Sequence, residues 1–121
     1  MKNNHKAKVL AISCLDFRFV TVVRDFLLKE DLKDSYDLIT IPGASLKLEN
    51  ITESILISIR LHKPEAIYIF DHEDCGAYGD NNSQEIHSIN LNKAKKILLA
   101  EHPNKKVRIF IADRNKVREL S

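Results

Sequence analysis

The 121-residue sequence has few cysteines, glycines and prolines: two, three and three. No apolar run approaches the ~20 residues of a membrane-spanning helix, so the sequence predicts a protein without a membrane span. The polar start from Met1 to Lys6 predicts that there is no signal peptide, and we therefore expect a cytoplasmic protein with reduced thiols. Two distant cysteines in such a chain indicate metal binding, catalysis or core packing more than a structural disulfide.

The charge pattern gives no indication of a nucleic-acid partner. The formal net charge is only +2, and the basic residues are scattered along the chain. The densest basic stretch, Asn92 to Lys96, is typical of the solvated face of a helix, and no basic stripe with interleaved aromatic residues occurs. The length and the hydrophobic fraction of 44% predict a single domain over residues 1–121.

Strand-like and helix-like segments alternate along the chain. We expect strands at 8–13, 36–41, 66–70 and 107–112, with a short edge strand at 116–120. We expect helices at 19–29, from an N-cap at Asn50 to about Leu61, and at 84–101. The apolar residues predicted to face inward from the second and third helices are Ile51, Ile55, Leu56 and Ile59, then Ile86, Ile89, Ala94, Ile97 and Leu98. The pattern predicts an α/β fold of three layers, with a mostly parallel four- to five-stranded sheet covered by helices on both faces.

The most informative segment follows the strand predicted at 66–70. It presents an imidazole, His72, and a thiol, Cys75, three residues apart on one side of a tight turn. The other cysteine, Cys14, follows the apolar run at 9–12. If these two strands are parallel neighbours, all three groups meet at the edge where ligands bind in such sheets. Histidine and cysteine ligands suit zinc, so the sequence predicts a zinc site there.

A second informative segment begins at Cys14. In an extended chain Cys14, Asp16 and Arg18 would lie on one side, because side chains two residues apart face the same way. The Asp16 carboxylate could pair with the Arg18 guanidinium, or reach a metal held by Cys14. In the alternative interpretation, Cys14 is a small buried residue and Asp16 caps the following helix.

Other interpretations of the same residues stay open. His72 could be a structural histidine at a strand end, and a Cys14–Cys75 disulfide would need the same proximity as a shared metal. A reducing compartment disfavours the disulfide. Among the other histidines we expect mostly surface residues and keep only His87 as a distant candidate for proton relay.

The two segments together resemble the β-class carbonic anhydrases. The resemblance consists of Cys14-x-Asp16-x-Arg18 and His72-x-x-Cys75-Gly76, and it extends through the strand and helix order to Leu120. It implies Zn²⁺ held by Cys14, His72 and Cys75, with Asp16 either as the fourth ligand or paired with Arg18. It implies a lyase that interconverts carbon dioxide and bicarbonate through a zinc-bound hydroxide, which Asp16, held by Arg18, would orient.

The resemblance also implies a homodimer and a substrate pocket that includes Gly43 and Gly76. Three differences from the family pattern stand out: few residues precede the first strand, Pro42-Gly43-Ala44-Ser45 replaces Asn-Ala-Gly-Asn, and Asp71 replaces a glycine before His72. We expect Asp71 to add a charge beside the site. The alternative functions are a zinc-binding homologue that hydrolyses another small heterocumulene or is not catalytic, and a dithiol redox or binding module.

Overall fold

The computed structural model describes residues 5–121. The strands in this part of the chain are β1 (Val9–Ser13), β2 (Tyr36–Thr40), β3 (Ala66–His72), β4 (Lys106–Ala112) and β5 (Val117–Leu120). They form one sheet in the order β2-β1-β3-β4-β5, in which β5 is antiparallel to β4 and the other pairs are parallel. The predicted mostly parallel sheet is therefore confirmed, including the short edge strand. The first four residues of the polar start lie outside the described residues.

Helices cover both faces of this sheet. They are α1 (Val20–Lys29), α2 (Thr52–His62) and α3 (Gln84–Glu101), and short 3₁₀ segments occupy Phe17–Phe19, Ala44–Ile51 and Gly76–Tyr78. Alternate residues of β1 contribute to two separate apolar clusters: Val9 packs in the cluster with α1, and Leu10 in the cluster with α2 and α3. None of the helices in residues 5–121 is long and apolar enough to cross a membrane.

The start of α2 differs from the prediction. The chain is already in 3₁₀ conformation from Ala44, and α2 begins at Thr52 without a side-chain cap, so the capping box predicted from Asn50 is wrong. Ile51 and Ile55 are buried as expected, whereas Leu56 is 47% exposed. The chain instead reaches α2 through 3₁₀ turns that bend at Lys47 (φ −116°), and Leu48 and Ile51 of this segment are buried in the core.

The inward face of α3 was also predicted incorrectly in part. Ala94 and Leu98 are buried, but Ile89 and Ile97 are 54% and 39% exposed. The buried face instead follows the spacing of His87, Leu91, Ala94 and Leu98. Because His87 is polar, hydropathy does not place it on the buried face, and the spacing of the buried residues is therefore missed.

Strand β3 is two residues longer than predicted, and this extension determines where Asp71 and His72 point. Because side chains alternate along a strand, Asp71 faces the α2 and α3 side of the sheet and His72 faces the α1 side. Both residues are buried, with 2% and 3% exposure. The expected extra charge at Asp71 is therefore directed to the opposite face of the sheet from His72.

The Asp71 carboxyl group is surrounded by hydrogen-bonding groups. Its Oδ1 accepts a bond of 3.1 Å from the Ser45 amide, and its Oδ2 accepts bonds of 2.9 Å from the Ser45 hydroxyl and 2.7 Å from Tyr78. Nδ1 of His87 lies 2.8 Å from the same Oδ2. Asp71 therefore joins the loop after β2, the turn after β3 and the start of α3. His87, whose other ring nitrogen lies 3.3 Å from Asn82, is a buried part of this junction rather than a surface residue.

We predict that Asp71→Ala lowers the free energy of unfolding by about 3–5 kcal/mol, because it leaves several buried groups without a partner. The measurement is urea unfolding with a metal chelator present. Glu119→Ala is the control, since Glu119 forms a partly exposed pair with Arg108 at 2.7 Å, and Arg108 keeps Glu30 as a partner. That variant should lose about 1 kcal/mol or less. Equal losses in the two variants would contradict the role assigned to Asp71.

Candidate metal centre

Two segments from neighbouring strands form the site. Cys14 follows β1 directly, and His72 is the last residue of β3, which pairs with β1 in parallel. The sheet order reverses between these two strands, because the chain passes from β1 to β2 on one side and later to β3 on the other. Ligand sites in parallel sheets form at such a switch, beyond the carboxyl ends of the strands. Cys75 reaches the same point from the turn after β3.

The three predicted ligand residues lie together. One ligand atom from each of Cys14, His72 and Cys75 lies within 4.8 Å of the others, and the two sulfur atoms are 4.0 Å apart. Two thiolates on a tetrahedral zinc would be about 3.8 Å apart, given Zn–S bonds of about 2.3 Å. The donor set and its spacing therefore fit zinc. Both thiols are free, so the sequence expectation that favoured reduced cysteines over a disulfide agrees with this arrangement.

The orientation of His72 provides a second test of the fit. Its Nδ1 lies 2.6 Å from the carbonyl oxygen of Glu73, which can only accept, so in the neutral ring Nδ1 carries the proton and Nε2 carries the lone pair. Within residues 5–121, Nε2 of His72 is the buried side-chain atom that lacks a hydrogen-bond partner. Phe19 stacks on the ring at 4.1 Å and restricts its rotation. A buried lone pair held beside two sulfur atoms is what a metal ligand requires.

Cys14, His72 and Cys75 shift one another's pKa values. A hydrogen bond from Cys75 lowers the pKa of Cys14 to about 3, and the same bond raises the pKa of Cys75. Burial opposes the charged form of His72, but the nearby Cys14 sulfur and the Glu73 carbonyl raise its pKa overall. The arrangement therefore favours the thiolate form of Cys14. A cation can replace the retained protons because the donors already face one another.

Asp16 and Arg18 form the predicted pair. Oδ1 of Asp16 accepts bonds of 3.0 and 3.1 Å from the Arg18 amide and Nε, and Oδ2 accepts a bond of 2.7 Å from a terminal guanidinium nitrogen. The hydrogen bond from Arg18 lowers the pKa of Asp16 to about 2. Asp16 is also the N-cap of the 3₁₀ segment that starts at Phe17, so the pairing and the capping interpretations both describe it. Its Oδ2 lies 3.8 Å from Nε2 of His72.

The two glycines predicted at the substrate pocket occupy different positions. Gly76 lines an open cleft of about 570 Å³ together with Cys14, Pro42 and Ala77, and there is free space around its Cα. Gly43 is buried beside the cleft with φ at +85°, and a Cβ there would lie only 3.2 Å from Cβ of Ala77. The backbone amide of Gly43 is also among the groups that lower the pKa of Cys14. Gly43 is therefore buried next to Cys14, whereas Gly76 borders the open cleft.

Several residues that organise the site were not predicted. The amide side chain of Asn82 accepts from the Cys75 amide at 2.8 Å and donates to the Cys75 and Gly79 carbonyls at 2.9 and 2.8 Å. Asp74 accepts hydrogen bonds from Arg18 across the cleft. Asn82 belongs to a polar loop and Asp74 lies in the turn between His72 and Cys75, positions where side chains that bond to the backbone are frequent. That signal was present in the sequence, although it does not indicate which backbone groups are contacted.

A protein family described as "Putative carbonic anhydrase" matches residues 4–121 of the chain. An uncharacterized protein from Rickettsia bellii is 33% identical, and the match covers 92% of this chain and 79% of that protein. An uncharacterized protein from Rickettsia conorii is also 33% identical, and that match covers 92% of this chain and 70% of the relative.

Solved structures with the same fold include two carbonic anhydrases. The one from Glaciozyma antarctica has a TM-score of 0.73 at 14% identity, over 98% of this chain and 85% of that chain. The one from Streptococcus mutans has a TM-score of 0.72 at 17% identity, over 100% of this chain and 86% of that chain. At these identities the likeness shows the fold, and the family match covers nearly the whole sequence. The chain therefore belongs to this carbonic anhydrase family.

Proposed function

We propose that this protein is a zinc-dependent lyase that interconverts carbon dioxide and bicarbonate. The observation that carries the proposal is the buried lone pair of His72 Nε2, which faces two thiols from separate segments and has no hydrogen-bond partner within residues 5–121. Family membership makes carbon dioxide the first substrate to test, and two carbonic anhydrases are among the solved structures with this fold. We assign Cys14, His72 and Cys75 as the zinc ligands.

The roles of Asp16 and Arg18 follow from their pairing. Arg18 keeps Asp16 ionised and holds both of its carboxylate oxygens, and this fixes the direction in which the carboxylate can accept a further hydrogen bond. When bound, zinc would acidify a water molecule and so supply hydroxide near neutral pH, although two thiolate ligands weaken this effect. Asp16 would accept the hydrogen bond of that oxygen and orient its lone pair toward the substrate. Arg18 acts through Asp16, as a positioning residue.

The cleft suits a small, weakly polar substrate. Pro42 and Ala77 contribute apolar walls, and the bare backbone at Gly76 leaves room for a molecule to approach the ligand cluster. Phe17 lies at the same cleft and is 85% exposed. We assign Gly76 to the substrate pocket and Gly43 to its supporting wall. This cleft belongs to the single zinc-binding domain that we propose for residues 1–121, and reduced thiols fit a cytoplasmic location.

We further propose that the protein is a homodimer that associates through the exposed edge of β2. This strand pairs with β1 on one side only, and its outer Leu38 is 54% exposed. Leu15 and Val20, both more than half exposed, extend the apolar surface from this strand to the mouth of the cleft. An open strand edge can pair with its own copy around a two-fold axis, which would cover the surface and remove the edge.

Zinc content is the first test. We expect about one zinc per chain after equilibration and dialysis, because three donors are already aligned. Cys14→Ser, His72→Ala and Cys75→Ser should each lower zinc affinity by at least about 100-fold, since each removes a ligand. His102→Gln, outside the cluster, should keep full zinc content. The measurements are plasma emission spectrometry and competition with a chromogenic chelator.

Metal analysis also separates the proposed enzyme from a dithiol module. The 4.0 Å between the two sulfur atoms is close enough for a disulfide to form after a small movement. A purified chain that does not bind zinc, but whose two thiols form a disulfide reversibly with a defined reduction potential, would support the redox alternative. Stoichiometric zinc would exclude it.

Stopped-flow hydration of carbon dioxide tests the activity itself. We expect a zinc-dependent rate at mildly alkaline pH, and Asp16→Asn should reduce it about 100-fold by removing the orienting carboxylate. Asp80→Asn is the matched control, because Asp80 is exposed and lies outside the ligand cluster, and it should retain the rate. Zinc binding without any rate above buffer would reject carbon dioxide. Hydrolysis of another small heterocumulene, such as carbonyl sulfide, would then be the next activity to assay.

Sedimentation velocity tests the dimer. We predict that Leu38→Lys converts the dimer to a monomer, because it places a charge on the edge that the two copies would share. Leu56→Lys is the matched control, since Leu56 is an exposed leucine on α2, away from β2. A wild-type chain that sediments as a monomer at micromolar concentration would contradict the dimer. Dissociation in the Leu56 variant would assign the interface to α2 instead.

A further inference from the structure

Arg18 lies between two acidic residues rather than beside one. Besides its bonds to Asp16, it donates from one terminal nitrogen to Oδ2 of Asp74 at 2.9 Å and from the other to the Asp74 carbonyl at 3.0 Å. The guanidinium also lies 5.3 Å from the centre of the Phe19 ring, which stacks on His72. Arg18 therefore connects the segment after β1 with the turn that carries Cys75.

The backbone of Asp74 is adapted to this contact. Its φ is +51°, in the left-handed region that few residues other than glycine, asparagine and aspartate adopt. In this conformation both the carbonyl and the carboxylate of one residue accept hydrogen bonds from the same guanidinium. An exposed ion pair is weak by itself, and the Asp74 side chain is 79% exposed. The carbonyl bond and the ring contact give the guanidinium a fixed position that the ion pair alone would not.

The position of Arg18 matters because Asp16 has two competing partners. Its Oδ2 is bonded to Arg18 at 2.7 Å and lies 3.8 Å from Nε2 of His72, at the border of the ligand cluster. A modest rotation would bring this oxygen to a metal held by Cys14, His72 and Cys75. The bonds from the Arg18 guanidinium and backbone amide oppose this rotation. The guanidinium is itself anchored by Asp74.

We propose that Asp74 is a positioning residue that keeps Asp16 paired with Arg18, and that it thereby leaves the fourth ligand position of the metal free for water. Its contact with Arg18 opposes the movement of Asp16 toward the cluster. This inference rests on the metal site of the proposed function, but it concerns which group occupies the fourth position and not which reaction takes place.

The test uses the Co²⁺-loaded protein, whose visible spectrum reports the ligands, and thiocyanate as a probe for a free fourth position. The wild-type protein should bind thiocyanate with a clear spectral change. In Asp74→Asn, Asp16 should occupy the position more often and weaken thiocyanate binding by about two- to fivefold, as expected for loss of an exposed ion pair. Asparagine still tolerates the left-handed backbone at this position, so the turn should keep its shape.

Two further variants separate positioning from a general effect. Asp80→Asn makes the same substitution at a nearby exposed residue that lies outside the ligand cluster, and it should bind thiocyanate as the wild type does. The double variant Asp16→Asn with Asp74→Asn should recover thiocyanate binding, because asparagine is a poor competitor for the metal. A merely structural effect of Asp74 would not be reversed by a change at Asp16.

The outcomes are distinct. Unchanged thiocyanate binding in Asp74→Asn, an equal loss in Asp80→Asn, or no recovery in the double variant would each overturn the inference. A wild-type protein that binds cobalt but not thiocyanate would also overturn it, because the fourth position would already be filled. Failure to take up cobalt would overturn the proposed metal site together with the inference. Cobalt uptake with the expected thiocyanate pattern, but without carbon dioxide hydration by the zinc form, would reject only the proposed activity.

Discussion

Strand β3 ends with two adjacent polar side chains inside the protein, and each must be satisfied without water. Asp71 meets this requirement on one face of the sheet, where the groups of Ser45, Tyr78 and His87 surround its carboxyl. His72 meets it only in part on the other face, because Nδ1 has a partner and Nε2 does not. A buried nitrogen without a hydrogen-bond partner is costly, and proteins tend to retain such a group where a ligand will occupy the site. The ligand cluster and the loops around it depend on this arrangement.

The two faces of β3 have complementary roles. The Asp71 junction fixes the loop after β2 and the turn after β3, which border the cleft on either side. Asn82 then holds the backbone of Cys75 from the start of α3. The donors are consequently held in place by hydrogen bonds that do not involve a metal. A site organised in this way would need little rearrangement to hold a tetrahedral ion.

Much of the fold could be predicted from the sequence because its signals are local. The alternation of apolar strands and helices gave the sheet and its five strands, and α3 was predicted with its observed bounds. The cluster of Cys14, His72 and Cys75 was also predictable, since parallel neighbouring strands end at the same edge. The prediction failed at the start of α2, where packing of a 3₁₀ segment overrides a sequence that looks like a cap. It failed again for Ile89 and Ile97, because hydropathy ranks isoleucine above the histidine that is in fact buried.

The contacts of single polar residues could not be obtained in this way. Whether Asp71 lies beside the metal ligands or behind the sheet depends on the last two residues of β3, and a strand end is the least certain part of such a prediction. The strict alternation of side chains also limits how this segment can change over evolution. Loss or gain of one residue within β3 would direct the carboxyl toward the thiols and the imidazole toward the serine and tyrosine hydroxyls, so both faces would fail at once. Single substitutions along the strand can be tolerated, whereas a change in the number of residues from Ala66 to His72 cannot.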